Sequence, residues 1–140
     1  MWIGNEILQF VKRQLNQEFG AGQNWLDVAP QEATYPFITY SLISTVPTWT
    51  FAPFLETCRI QITVFTDSQD STDLVRLVDR VKQHFHRIER LNPYVNPGTK
   101  QMKLICVKKA DESIDYLNEA YFHAGRVDFL MTFEKQRGDP

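Results

Sequence analysis

Apolar residues recur every four positions at the start of the chain, at Ile3, Ile7, Val11, Leu15 and Phe19. This spacing places the side chains on one winding face, so it predicts an amphipathic helix. Gly20 and Gly22 follow at once, and glycine just past the last periodic residue commonly ends a helix. Trp2 and Phe10 lie off this apolar face, where they would cover a sheet edge or contact a partner.

Later segments alternate apolar and polar residues, which is the pattern of a half-buried strand. Extended segments are predicted over residues 25–28, 37–43, 57–66, 102–108 and 122–133. The polar residues 109–120 predict a long connection with at most one helical turn. Residues 134–140 predict a frayed tail.

A second helix is predicted from about residue 70 to the residue before Asn92, because several potential N-cap residues precede it and Asn92-Pro93 stops it. Its apolar residues fall on one arc, and the opposite arc carries Arg76, Arg80, Arg87 and Arg90. The predicted element order is α-β-β-β-α-β-β. We expect one α+β domain over residues 1–140, with a mainly antiparallel sheet and both helices on one of its faces.

The composition indicates an ordinary globular domain. Of its 140 residues, 43% are hydrophobic and 23% charged, so the chain can bury a core without a disulfide or a metal. No apolar run reaches the length of a transmembrane helix, and charged residues interrupt the N-terminus where a signal peptide would be apolar. We therefore expect the protein in the cytoplasm, with no membrane partner. Cys58 and Cys106 lie in apolar segments and are expected to be buried free thiols.

The sequence contains none of the common catalytic or nucleotide-binding motifs, such as a P-loop or a nucleophile elbow. His84 and His86 are two residues apart, so on a helix they face different directions and cannot share a metal. The acidic residues Asp111, Glu112 and Asp115 are better explained by a solvated loop than by a cation site. We expect no catalytic residue, no metal and no cofactor.

Two features remain as candidate contact surfaces. The arginines of the second helix form either a solvated outer face or a contact for acidic groups, on another subunit or on DNA phosphates. Residues 47–55 join two strands but are unusually apolar, with Trp49, Phe51, Phe54 and Leu55. These side chains either fold back onto the domain or anchor a protein–protein interface, in which aromatic residues contribute disproportionately.

Several segments occur in a characteristic order. An N-terminal helix is followed by an extended segment that ends at Pro30, then by Tyr35–Tyr40 and by Arg59–Phe65. A turn rich in Ser and Asp, an amphipathic helix and the segment Tyr121–Phe129 come next. This order resembles the tail-completion, or tail-terminator, proteins of long-tailed bacteriophages and prophages, over nearly the whole chain.

The resemblance implies a non-enzymatic structural protein of the virion, at the head–tail interface of a phage tail. Such proteins form a ring, typically a hexamer, that caps the tail tube and joins it to the head, and DNA later passes through the channel. The implied partners are further copies of the chain, the tail tube protein and a head connector protein. A net charge of −2 suits transient passage of DNA better than tight binding.

A closed ring requires two different patches on each subunit. From their apolar or charged character, we expect these patches among Trp49, Phe51, Phe54, Leu55, Arg76, Arg80, Arg87, Trp2 and Phe10. Three alternatives stay open. The protein could be a head-side connector ring, a nucleic-acid-binding module with aromatic residues on adjacent central strands, or a small enzyme that uses His84 or His123.

Overall fold

A computed structural model describes residues 4–20, 22–30, 33–47, 55–67, 72–91, 102–117 and 122–135. The elements are α1 (Gly4–Phe19), β1 (Asn24–Leu26), β2 (Phe37–Pro47), β3 (Leu55–Thr66), α2 (Thr72–Leu91), β4 (Met102–Leu117) and β5 (Phe122–Lys135). The predicted order α-β-β-β-α-β-β and the α+β class are confirmed. None of the described helices is long and apolar enough to cross a membrane.

The described strands form one five-stranded sheet in the order β1-β2-β3-β5-β4. Only β1 pairs in parallel, through residues 24–26 against residues 38–40 of β2. The other three pairings are antiparallel. The predicted sheet is therefore mainly antiparallel, with β1 and β4 at its two edges.

Both helices cover the same face of the sheet, as predicted. The ring of Phe10 on α1 meets Phe133 edge-on with 6.0 Å between centroids, and Phe85 on α2 lies 5.5 Å from Phe129. Phe129 and Phe133 are four residues apart on β5, so their side chains point to one face. The domain consequently has two layers, with the hydrophobic core between helices and sheet. We call the opposite side of the sheet the helix-free face.

The strand β4 is much longer than the alternation predicted, because residues 109–117 continue the pairing with β5. Two register shifts, between Leu104 and Cys106 and between Lys109 and Asp111, interrupt the pattern. A bulge adds one residue to a strand and changes the side to which later residues point. Cys106 is therefore exposed beside Thr132, and the prediction that both cysteines are buried is wrong for Cys106 and confirmed for Cys58.

Candidate interaction surfaces

Three of the four arginines on the arginine face of α2 have side chains that the structure describes: one is held within the chain and two are accessible, whereas the side chain of Arg90 lies outside the described part. Arg76 is 70% exposed, and its Nη1 lies 3.8 Å from Oδ1 of Asp73. An exposed ion pair such as Arg76–Asp73 contributes little to stability, so Arg76 can still bind an acidic partner. Arg87 is exposed and can do the same.

Arg80 instead connects α2 to the C-terminal end of α1. Its Nε donates to Oε1 of Glu18 at 3.1 Å, and its Nη2 donates to the main-chain carbonyl of Glu18 at 2.7 Å. Its guanidinium carbon lies 4.5 Å from the centre of the Phe19 ring. A cation at a helix C-terminus is favourable because it meets the carbonyl end of the helix dipole. These contacts within the chain occupy Arg80, so a role for it in an interface stays a prediction.

His84 reinforces this seam between the helices. Its Nε2 lies 3.0 Å from Oε1 of the buried Gln14, and its Nδ1 lies 3.3 Å from Oε2 of Glu18. Burial lowers the pKa of His84, and the carboxylate of Glu18 opposes that effect. His86 is exposed and lines a groove between α2 and β4, so the two histidines diverge as the helical spacing predicts.

Two acidic residues of β4, Glu112 and Asp111, are ion-paired, and the side chain of Asp115 lies outside the described part of the chain. Glu112 accepts hydrogen bonds from Lys82 at 2.9 Å and from Lys109 at 3.0 Å, and these bonds lower its pKa. Asp111 accepts one from Arg126 at 3.0 Å. No group of three metal-ligating side chains occurs among the described residues. His84 contacts Gln14 and Glu18 of α1 rather than these acids.

Phe10 is fully buried, and the prediction that it contributes to an interface is wrong. The physical reason is that α1 packs against both the sheet and α2, which requires an apolar face wider than one row of side chains. Leu55 begins β3 opposite Glu134 and is half-buried, so it stays a candidate. Trp2, Trp49, Phe51 and Phe54 lie outside the described residues.

A chain of charges crosses the helix-free face, which sequence reasoning missed. Arg59 on β3 donates to Oδ2 of Asp128 on β5 through Nε at 3.0 Å and through Nη2 at 2.6 Å. Arg126 lies on the other side, with its Nε 3.7 Å from Oδ1 of Asp128. Asp128 is only 3% exposed, although both described helices lie on the other face of the sheet. The signal in the sequence was the presence of charged residues at outward positions of the apolar strands β3 and β5, Arg59 on the first and Arg126 and Asp128 on the second.

Aromatic rings gather at one end of the same face. Phe37 of β2 and Phe65 of β3 are register partners, and their rings stack with centroids 4.9 Å apart. Trp25 meets Phe37 edge-on at 5.9 Å, and Tyr35 lies 5.0 Å from it. All four side chains are partly exposed. The alternating pattern does not assign Phe37 and Tyr35 to a face, because it does not show which face of the sheet the helices cover.

The sheet has two open edges in the described part of the chain. On one side, β1 pairs with residues 38–40 only, which leaves residues 41–47 of β2 unpaired on that side. On the other side, β4 is the last strand and pairs only with β5. An open edge presents main-chain N–H and C=O groups that can pair with another strand.

No family model matches the chain, and no curated protein matches it. Among solved structures, it is similar to a chain described as "Virion of native gene transfer agent (GTA) particle". The TM-score is 0.62 at 11% sequence identity, and the match covers 94% of this chain and 97% of that chain. At this identity the likeness shows a shared fold, and its coverage shows that the fold is shared from end to end.

Proposed function

We propose that this protein is a non-enzymatic structural component of a phage-like virion. In this proposal, copies of the chain form a ring, typically of six, that caps the tail tube and joins it to the head. The observation that carries the proposal is the end-to-end fold likeness to a chain of a virion particle, covering 94% of one chain and 97% of the other. The order of sequence segments that resembles tail-terminator proteins supports it independently.

The charge distribution supports a channel through which DNA passes without being retained. The net charge is −2, and the arginines on the helix-free face, Arg59 and Arg126, are each paired with an aspartate. A surface binds DNA mainly by neutralising phosphates, so paired arginines attract it weakly. The accessible cations Arg76 and Arg87 are better suited to acidic groups of a neighbouring virion protein.

Native mass spectrometry tests the ring directly. We expect a closed oligomer, formed by the chain alone or when its tail tube protein is added. A species that stays strictly monomeric in both conditions would contradict the proposal. The measurement should be repeated at several salt concentrations, because exposed ion pairs weaken as salt increases.

Deleting the gene from the phage or prophage that carries it separates the terminator from a head-side connector. Loss of a terminator should give overlong or uncapped tails. Loss of a connector should give tails of normal length beside full heads that are not joined. Electron microscopy of the lysate distinguishes the two outcomes, and complementation with the wild-type gene is the control.

One observation favours a second candidate, a nucleic-acid-binding module. Phe37 and Phe65 stack on adjacent strands of the helix-free face, where single-stranded bases can stack in RNA-binding folds. This function predicts steeply salt-dependent affinity for single strands, which falls when Phe37 is replaced by leucine. Equal, weak retention of single strands by the wild-type and F37L proteins would exclude it.

A further inference from the structure

We infer that copies of this chain join edge to edge, with residues 41–47 of β2 in one copy pairing with β4 of the next copy. The inference rests on the proposed ring and names the two surfaces that would close it. A ring requires two different patches on each subunit, and the opposite edges of one sheet are such a pair.

The first patch is the edge of β2 beyond β1. The N–H of Ile38 donates to the carbonyl of Gln23, and the carbonyl of Tyr40 accepts from the N–H of Asp27. Alternate residues of a strand turn their main-chain N–H and C=O groups to the same side, so those of Leu42 also point to the side on which β1 lies. In the described part of the chain, β1 ends at residue 26, and no other strand pairs with this side of β2.

The composition of residues 41–47 is unusual for an edge that stays free. Free edges are commonly protected by charged side chains, yet this segment (SLISTVP) contains none, and a proline stands only at its last position. Ile43, at the bulge between Leu42 and Ser44, is 49% exposed. The bulge and Pro47 interrupt the row of main-chain groups on this edge, so a partner strand would pair on either side of Ile43, whose exposed side chain adds an apolar contact.

The second patch is the segment of β4 that lies level with residues 41–47, which is residues 104–111. This segment contains two lysines, Lys108 and Lys109, and one acidic residue, Asp111, and Lys109 also pairs with Glu112 on its own strand. Pairing of the segment with the same segment of another copy would place two like net charges of +1 side by side, which the uncharged β2 edge avoids. This charge difference is small, and the head-to-tail pairing rests on the requirement of a ring for two different patches.

The strand directions also fit. β2 and β5 run one way, while β3 and β4 run the other way. Copies related by rotation about an axis roughly along the strands would therefore place β4 antiparallel to β2 of the next copy. Following the register across the sheet, residues 41–47 lie level with residues 104–111 of β4. A paired segment of seven residues extends over about 23 Å.

Disulfide trapping tests the arrangement, because Cys106 is an exposed thiol on β4 and Cys58 is buried. Cysteines introduced by S44C or V46C lie on the β2 edge, opposite Arg59 and Thr57 in the register. Mild oxidation should convert each variant into a ladder of covalent oligomers, from dimers up to the full ring. The matched control is Q61C, on the central strand β3, which should give no ladder.

The trapped species distinguish the possible pairings. A ladder that disappears in the V46C/C106A double variant supports β2–β4 contact, because the register places Val46 level with Cys106. Dimers alone in that double variant indicate β2–β2 contact, and dimers in the wild-type protein indicate β4–β4 contact. Either of these results overturns the inference, as does a ladder from Q61C, which would mean that sheets stack face to face.

A blocking substitution separates this inference from the proposed ring. I43K places a charge on the β2 edge at a side chain that is already half exposed, so the fold should be retained. The control V75K makes the same change at a residue of α2 that is 42% exposed. We expect I43K to weaken assembly about tenfold or more and V75K to leave it unchanged. Assembly by I43K as by wild type refutes edge pairing and leaves the ring standing. A wild-type chain that never assembles refutes the ring, and edge pairing with it.

Discussion

Gly125 of β5 sets how closely α2 approaches the sheet. A Cβ atom at this position would lie 2.6 Å from Cγ2 of Val78, and 3.2 Å and 3.3 Å from two atoms of Leu74. Ordinary contact begins at 3.4 Å, so the Val78 methyl group would have to move by about 0.8 Å. Val78 is buried and β-branched, and in a helix such a side chain has essentially one allowed rotamer, so α2 itself must shift.

We therefore expect G125A to destabilise the domain by about 1 kcal/mol. Overpacking of a core costs roughly 1–3 kcal/mol. Replacing glycine by alanine within a strand returns about 0.5–1 kcal/mol, because alanine loses less backbone entropy on folding. The net cost should appear as a lower midpoint of urea unfolding at unchanged slope, with all variants compared at the same protomer concentration.

A double-mutant cycle with V78A isolates the contact. V78A alone should cost roughly 2 kcal/mol, because it removes two buried methyl groups and leaves a small cavity. In that background the added methyl of G125A has space, so G125A should be neutral or stabilise by about 0.5 kcal/mol. The coupling free energy is then about 1–1.5 kcal/mol. If G125A costs the same in both backgrounds, Val78 does not limit the approach of α2, and the reasoning is refuted.

Three further predictions follow from individual side chains. Burial raises the pKa of Cys58 to about 12, so one thiol, that of Cys106, should react quickly with a thiol reagent in the native protein, and C106S should abolish this reaction. The hydrogen bonds from two lysines lower the pKa of Glu112, so its contribution to stability is present at neutral pH and is lost as the pH falls through the lowered pKa. E112Q should therefore be less stable than wild type at pH 7 by under about 1 kcal/mol, and this difference should shrink as the solution is made acidic. Burial lowers the pKa of His84, so the unfolded chain binds the proton more readily than the folded chain, and stability falls as the pH drops below about 6.5. In H84Q the unfolding free energy should therefore depend less on pH. An unchanged pH dependence in H84Q would contradict this assignment.

The element order could be predicted from periodicity, but the length of β4 could not. Residues 109–117 are polar, and polar residues in a strand look like a loop until their partners are known. In the structure those partners come from elsewhere, with Lys82 of α2 reaching Glu112 and Arg126 of β5 reaching Asp111. The two bulges also break the alternation of period two that identifies strands.

The candidate site was predicted less well, because a helical wheel treats a helix as if it had one neighbour. On that basis Phe10 lies off the apolar face of α1 and looks available. With the sheet on one side and α2 on another, the same position is fully buried. The aromatic group around Phe37 and the open edges depend on which strands are neighbours, and the order β1-β2-β3-β5-β4 is not determined by any local pattern.

Because Arg80 is held within the chain while Arg76 and Arg87 are exposed, the structural and binding roles of these arginines can be tested separately. Arg80 joins α2 to Glu18 and Phe19 of α1, so R80A should lower stability, whatever the arginine face binds. Arg76 and Arg87 are exposed, so R76E and R87E should leave the unfolding free energy within about 0.5 kcal/mol of wild type. If the face contacts acidic groups of a virion partner, the two charge reversals should weaken that binding at low salt and lose their effect at high salt. Unchanged binding by R76E and R87E would identify the exposed arginines as a solvated surface, and weaker binding by R80A alone would then reflect the loosened helix seam.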